Sequence, residues 1–156
     1  MTQEKIDNFR GEYAFLSNFY EIPVTYEGIT YQNNEAAFQA MKCTRNSDRK
    51  AFASLSPTEA KKLGRKILLR SDWEDCKVFY MRELVHCKFT QNPKLIEKLL
   101  ETGEAYLEEG NTWGDRIWGT VEGQGANLLG RILMEEREAL RILEKEKEAE
   151  KEYSEE

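Results

Sequence analysis

The stretch Val24-Thr25-Tyr26-Glu27-Gly28-Ile29-Thr30-Tyr31-Gln32-Asn33-Asn34-Glu35-Ala36-Ala37-Phe38-Gln39-Ala40-Met41-Lys42 decides the fold class. Its first part holds two short runs of β-branched and aromatic residues, joined at Glu27-Gly28. That pattern predicts a hairpin with a tight turn. Asn33 or Asn34 then stands where a helix cap is expected, and the helix runs to about Cys43. Ala37, Phe38, Ala40 and Met41 form its core-facing side. A hairpin that hands over directly to a helix indicates an α+β chain.

Helices dominate the rest of the chain. Ser56-Pro57-Thr58-Glu59 has the form of a capping box with proline at the first helical position, and a short helix follows through Leu63. Ser71-Asp72-Trp73-Glu74 repeats the capping pattern. Trp73, Cys76, Tyr80, Leu84 and Cys87 then recur at helical spacing as far as Phe89. Asn92-Pro93 opens another helix, with Leu95, Ile96, Leu99 and Leu100 as its apolar face. Ala105 to Glu108 reads as a short strand or turn, and Asn111 to Gln124 as a functional loop rich in glycine and tryptophan. Upstream, Gly11 to Phe19 reads as an extended, aromatic-rich segment. The last helix starts near Gly125-Ala126-Asn127 and carries an apolar stripe of Leu128, Leu129, Ile132, Leu133 and Leu140. Beyond Leu143 only charges continue, so Glu144 to Glu156 reads as a frayed helix or disordered tail. The expected organisation is one compact domain over residues 1–143 and a charged extension over 144–156. The expected fold class is α+β, mainly helical, with a small N-terminal sheet.

Composition agrees. The 156 residues suffice for one domain with a core. No apolar run approaches the ~20 residues of a membrane helix. Met1 to Asp7 lacks the apolar stretch of a signal peptide, so a cytoplasmic protein without a membrane partner is expected. Cys43, Cys76 and Cys87 form no C-x-x-C pair, which argues against a disulfide framework or zinc ribbon. Residues Glu135 to Glu156 hold ten acidic and five basic side chains, a net of −5, so of the total −6 the rest of the chain carries only −1. No general basic excess marks a protein that clamps nucleic acid through its phosphates.

The side chains narrow the chemistry further. His86 is the single histidine and lies within a helix with no nucleophile motif beside it, so it reads as a structural or surface residue. One histidine and three scattered cysteines make a poor catalytic zinc set. Gly119, Gly123 and Gly125 lack the strand–G-x-G-x-x-G–helix setting of a dinucleotide crossover. Neither metal nor cofactor is expected. What remains is carboxylates, lysines, amides and aromatic rings, a set suited to N-glycoside chemistry. Departure of a base from ribose C1 leaves an oxocarbenium-like centre. A carboxylate can stabilise it or activate water, and an acid can protonate the leaving nitrogen. A lysine amine can instead attack C1 or condense with the ring-opened aldehyde. Aromatic rings can stack on the base, and glycine-rich backbone at a helix start can hold phosphate.

Seven stretches then match one family in order. They are F-L-S-N-F-Y (15–20), N-E-A-A-F-Q-A-M-K (34–42), S-P-T-E-A-K-K-L-G-R (56–65), D-W-E-D-C-K (72–77), K-F-T-Q-N (88–92), E-G-N-T-W-G-D-R-I-W-G (109–119) and G-A-N-L-L-G-R-I-L-M (125–134). The chain resembles the NADAR (YbiA-like) family over roughly Phe9 to Arg137. The resemblance implies a compact, mostly helical α+β domain and N-glycosidase activity. It implies a small nucleotide-like substrate: ribosylaminopyrimidine phosphates of riboflavin synthesis in one branch, ADP-ribosylated guanine in nucleic acid in another. One departure matters. Many relatives carry E-H-Y-F-Q-A, whereas Ala36 stands here in place of the histidine.

Glu35 alone would be a carboxylate complementing a helix dipole. Within E-x-x-F-Q-x-x-K it becomes an acid/base candidate, with Gln39 and Lys42 on its face of the helix. Lys88 alone would be a favourable cation at a helix C-terminus. Within K-F-x-Q-N it is the first choice for the amine that engages C1, with Lys42 in reserve. Asp115 is a turn former or a catalytic carboxylate, and the catalytic role is preferred. Glu109, Trp113, Trp118, Gly119, Gly125 and Asn127 are expected to bind substrate, together with Asn18 and Phe19. Asn127 is also expected to cap the last helix while neighbouring amides hold phosphate. Phe15 is assigned to the core, and Trp73 to the core or to anchoring a helix start. The competing readings are a non-catalytic ADP-ribose or NAD sensor, which shares the pocket without turnover, and an interaction protein acting through the charged C-terminal helix.

Overall fold

The computed structural model describes residues 4–154. In chain order the elements are β1 (Lys5–Ile6), a 3-10 helix (Gly11–Leu16), β2 (Val24–Tyr26), β3 (Ile29–Tyr31), α1 (Asn34–Ala40), α2 (Asn46–Arg49), a 3-10 turn (Lys50–Phe52), α3 (Pro57–Gly64), α4 (Trp73–Thr90), α5 (Pro93–Glu101), β4 (Tyr106–Leu107) and α6 (Leu128–Ser154). The fold is α+β and mainly helical, with two small two-stranded sheets. No helix among the described residues is long and apolar enough to cross a membrane. Two compact units emerge, one of residues 8–92 and one of residues 4–7 with 93–154.

In the unit of residues 8–92, β2 and β3 pair antiparallel with Val24 opposite Tyr31 and Tyr26 opposite Ile29. Glu27 and Gly28 both have positive φ, 49° and 82°, as a two-residue hairpin turn matching strand twist requires. Val24, Ile29 and Tyr31 point inward while Thr25 and Thr30 face solvent. The outer edge of β2 is covered by one side chain. The Gln91 amide accepts from Thr25 N and donates to Thr25 O, each at 2.8 Å, as a neighbouring strand would.

Helix α1 is buried along its whole length, and its alanines let α3, α4 and the hairpin approach closely. Asn33 caps it, accepting from Ala36 N at 2.7 Å. It ends at Ala40, three residues short of the expected Cys43. The capping box before α3 is complete. Ser56 Oγ accepts from Glu59 N at 3.2 Å, and Glu59 accepts from Ser56 N at 3.0 Å. Trp73 and Phe15 are buried, and Trp73 meets the Phe38 ring at 5.1 Å between centroids.

Two local expectations fail in this unit. Gly11 to Leu16 is a 3-10 helix, not an extended run. Tyr13 N and Ser17 N bond back to the carbonyls of Arg10 and Ala14, so short-range bonds satisfy backbone that has no strand partner. Asp72 precedes α4 without capping it through its side chain. Its carboxylate is held by Arg70, whose Nε donates to Asp72 Oδ1 at 2.6 Å and Nη2 to Oδ2 at 3.1 Å. A bidentate charged partner two residues away outcompetes a neutral amide.

In the other unit, β1 pairs parallel with β4, Lys5 opposite Tyr106 and Ile6 opposite Leu107. Leu95 and Leu99 of α5 are buried, as are Leu129, Ile132, Leu133 and Leu140 of α6. Arg137 is buried too, and its Nη1 donates to Thr102 Oγ1 at 2.9 Å and Ala105 O at 2.8 Å. Arg141 Nη2 donates to Gly103 O at 2.7 Å. The guanidinium groups thus serve the carbonyls that follow α5, which have no partners of their own in a helix. Helix α6 does not stop at Leu143. It continues to Ser154, with the side chains beyond Glu144 exposed.

Candidate functional site

The first cluster of expected site residues is built on α1. Because Asn33 fixes the helix start, Glu35 falls in the first turn and Gln39 one turn later. Both are buried, and Gln39 Nε2 donates to Glu35 Oε1 at 2.8 Å. Lys42 lies beyond the helix end, half-buried. Its Nζ sits 3.4 Å from Gly64 O and 5.9 Å from the centre of the Trp73 ring. Burial pushes the Lys42 ammonium below the usual lysine range. Attraction to Glu35 opposes that shift, and repulsion from Arg65 adds to it.

Asn18 joins this cluster from the loop after the 3-10 helix. Its carbonyl accepts from Glu35 N at 3.0 Å, and its side chain accepts from Asn34 Nδ2 at 3.0 Å. Lys88 reaches the same loop from α4. It is only 1% exposed, and its Nζ donates to Ser17 O at 2.8 Å and lies 5.8 Å from the centre of the Tyr20 ring. The adjacent carbonyls of Ser17 and Asn18 therefore receive Lys88 on one side and the start of α1 on the other. Phe19 is exposed, with Lys61 Nζ 5.7 Å from its ring centre. Ser17 and Tyr20 were not singled out by sequence, and Asn34 only as a possible helix cap. Their part depends on the turn of the 3-10 helix, which the sequence pattern disguised.

The second cluster lies in the loop between β4 and α6. Its hub is Asn111, which sequence reasoning also missed. Asn111 Nδ2 donates to the carbonyls of Glu109, Asp115 and Thr120 at 3.2, 2.9 and 3.1 Å, and its Oδ1 accepts from Asp115 N at 3.0 Å. Asp115 Oδ1 in turn accepts from Ile117 N at 3.0 Å and Trp118 N at 2.9 Å, the bonding of an Asx turn. A Cβ on Gly119 would run into Glu109 O, and one on Gly125 into Gly119 O, so both glycines permit close backbone approach. Trp113 is exposed and Trp118 half-buried.

Asn127 does not cap α6 with its side chain. At φ 51° that side chain turns back, accepting from Glu109 N at 2.9 Å and donating to Leu107 O at 2.9 Å. The amides expected to hold phosphate are engaged as well. Ala126, Asn127, Leu128 and Leu129 donate to the carbonyls of Arg116, Gly119, Ile117 and Trp118. The loop thus ties itself to the helix start through bonds that a phosphate would have to break.

The only histidine, His86, has an exposed side chain on α4. Among the described residues no group of three or more His, Cys, Asp or Glu side chains could hold a metal ion.

The fold is mainly helical α+β, with a buried carboxylate–amide pair on α1, and the match with known proteins gives the family. The NADAR domain family matches residues 6–141, and the chain belongs to that family. The N-glycosidase YbiA of Escherichia coli is 37% identical over 147 residues, covering 90% of this chain and 91% of that protein. The NMR structure of the E. coli protein YbiA superposes with a TM-score of 0.80 at 36% identity, covering 92% of this chain and 89% of that one. A riboflavin biosynthesis protein of Vibrio vulnificus is 37% identical over 132 residues, 82% of this chain and 36% of that protein, so the chain spans about a third of that relative's length.

Proposed function

We propose that this chain is an N-glycosidase that hydrolyses the bond between ribose C1 and a nitrogen leaving group, the ribose belonging to a ribosyl phosphate or an ADP-ribosyl unit. The observation that carries the reading is the buried Glu35–Gln39 pair with half-buried Lys42 beside it. It occurs in a chain 37% identical to an N-glycosidase over nine-tenths of both sequences. Glu35 donates a proton to the departing nitrogen and afterwards draws one from water. Its buried setting excludes competing solvent and strengthens its interaction with charge developing at C1.

Lys88 is the proposed amine. In its neutral form it attacks C1 as the base leaves, the ribose ring opens to give a Schiff base, and water then hydrolyses that imine, releasing the sugar and regenerating the amine. To do so its Nζ must leave the Ser17 carbonyl. Lys42 is the alternative, since burial weakens its hold on the proton. Asp115 is a second proposed catalytic carboxylate. Two amides fix one of its oxygens, which orients the group.

The riboflavin biosynthesis name of the Vibrio vulnificus relative favours a ribosylaminopyrimidine phosphate as substrate. So does the near-neutral charge of the chain ahead of its acidic tail. ADP-ribosylated guanine is the competing substrate. We further propose that the reaction runs in the cytoplasm without a metal.

The test is chromatographic detection of released base from both substrates, with and without a chelator. Turnover of either that survives chelation is expected, and no turnover of either refutes the assignment. Borohydride should trap a covalent adduct that disappears in Lys88→Ala. An adduct that persists there and vanishes in Lys42→Ala moves the nucleophile to Lys42. Asp115→Asn keeps the turn-forming oxygen, so a large loss of kcat at unchanged Tm is expected. Full activity would leave Asp115 a turn residue only.

A further inference from the structure

Gly64 ends α3, and nothing in its own backbone asks for glycine, because its φ lies outside the left-handed region. Alanine would serve a helix better there. The reason for glycine lies 25 residues earlier, on α1. A Cβ built on Gly64 would lie 2.7 Å from Gln39 Cδ and closer still to Gln39 Oε1. Gln39 is only 6% exposed, so its amide has little room to withdraw. One end of that amide is held by Glu35, through the 2.8 Å bond from Nε2 to Oε1. The other end, Oε1, is buried without a hydrogen-bond donor among the described residues and lies against the bare Cα of Gly64. The carbonyl of the same glycine faces Lys42 Nζ at 3.4 Å.

We infer that Gly64 is a positioning residue of the glycosidase centre. Its missing side chain seats the Gln39 amide against Glu35, and its carbonyl locates Lys42. Gly64 acts through these three side chains and touches no substrate. The inference rests on the reading of Glu35 as the acid/base group. It adds that the end of α3 sets the orientation of that group.

A double-mutant cycle between positions 64 and 39 tests it. Gly64→Ala should lower kcat about tenfold or more with KM nearly unchanged, since a displacement of an ångström at a catalytic group costs that much or more. In the Gln39→Ala background the amide is gone, so adding Gly64→Ala should change kcat by less than about twofold. Losses that multiply through the cycle overturn the inference. If Gly64→Ala alone does not fold, the double variant should fold, because its clash partner has been removed; failure of both to fold also overturns it. A second readout needs no turnover. The side-chain NH2 resonances of Gln39 should shift in Gly64→Ala, and unchanged resonances overturn the inference. An inactive wild-type chain whose Gln39 resonances still move refutes the glycosidase reading while supporting the packing claim.

Discussion

Lys42 holds a charge in a place that half removes it from water, and that has a measurable sign. Because burial outweighs the attraction of Glu35, the folded chain binds this proton less tightly than the unfolded chain does. Below its lowered folded value the lysine is charged in both states, and the full cost of burying the charge is present. As pH rises from that value toward the ordinary lysine range, the folded state sheds the proton first and stability is gained. Lys42→Met should therefore raise Tm at neutral pH, and the gap to wild type should close as pH climbs through that window. Thermal melts across the range check this. A Met variant that is less stable at neutral pH would mean that the Glu35 attraction dominates.

At the residue scale the sequence was informative wherever the cause was local. Asn33 as a helix cap needs only its own side chain and the third amide beyond it. Glu27-Gly28 needs only two positive φ values. Glu35 and Gln39 share a face because a helix returns every four residues. Asn111 could not be found this way. Its amide gathers carbonyls of Glu109, Asp115 and Thr120, and no spacing rule connects those positions. Gly64 is the same kind of case, since its reason for being glycine belongs to Gln39.

Elements obey a similar division. The start of helix α3 is specified by Ser56 and the three residues after it. Ser56→Ala removes the hydroxyl that accepts from Glu59 N and should cost about 1 kcal/mol of stability. Denaturant unfolding measures it, and an unchanged midpoint would show that the proline and tertiary contacts suffice without the cap. Helix α4 shows how the same sequence cue can mislead. Ser71-Asp72-Trp73-Glu74 resembles the α3 start, yet Asp72 is taken by Arg70. The helix forms regardless, because Trp73, Met81, Leu84, Val85 and Phe89 bury one side of it. The 3-10 helix at Gly11–Leu16 was illegible for the opposite reason. It is too short to show a period, and its aromatic residues mimic a strand.

At the scale of the whole molecule, the family match ends at residue 141 while α6 runs on to Ser154. The last buried apolar residue of α6 is Leu140, so the final turns add no core. Stopping the chain after Leu143 should leave Tm within about 2 °C and turnover intact, as expected for loss of exposed residues without buried partners. A fall in either property would assign the charged segment a structural or functional part. We propose on this basis that residues 1–143 are the working domain and 144–156 an extension.

The amide of Gln91 has one more consequence, which concerns many molecules at once. An uncovered strand is a template on which another polypeptide can grow by adding its own backbone. At Thr25 that template is sealed from within, by a side chain that imitates the next strand and then ends. The hairpin thus carries its own stopper, and crowded copies of this protein meet no free hydrogen-bonding groups at Thr25 from which a fibril could start.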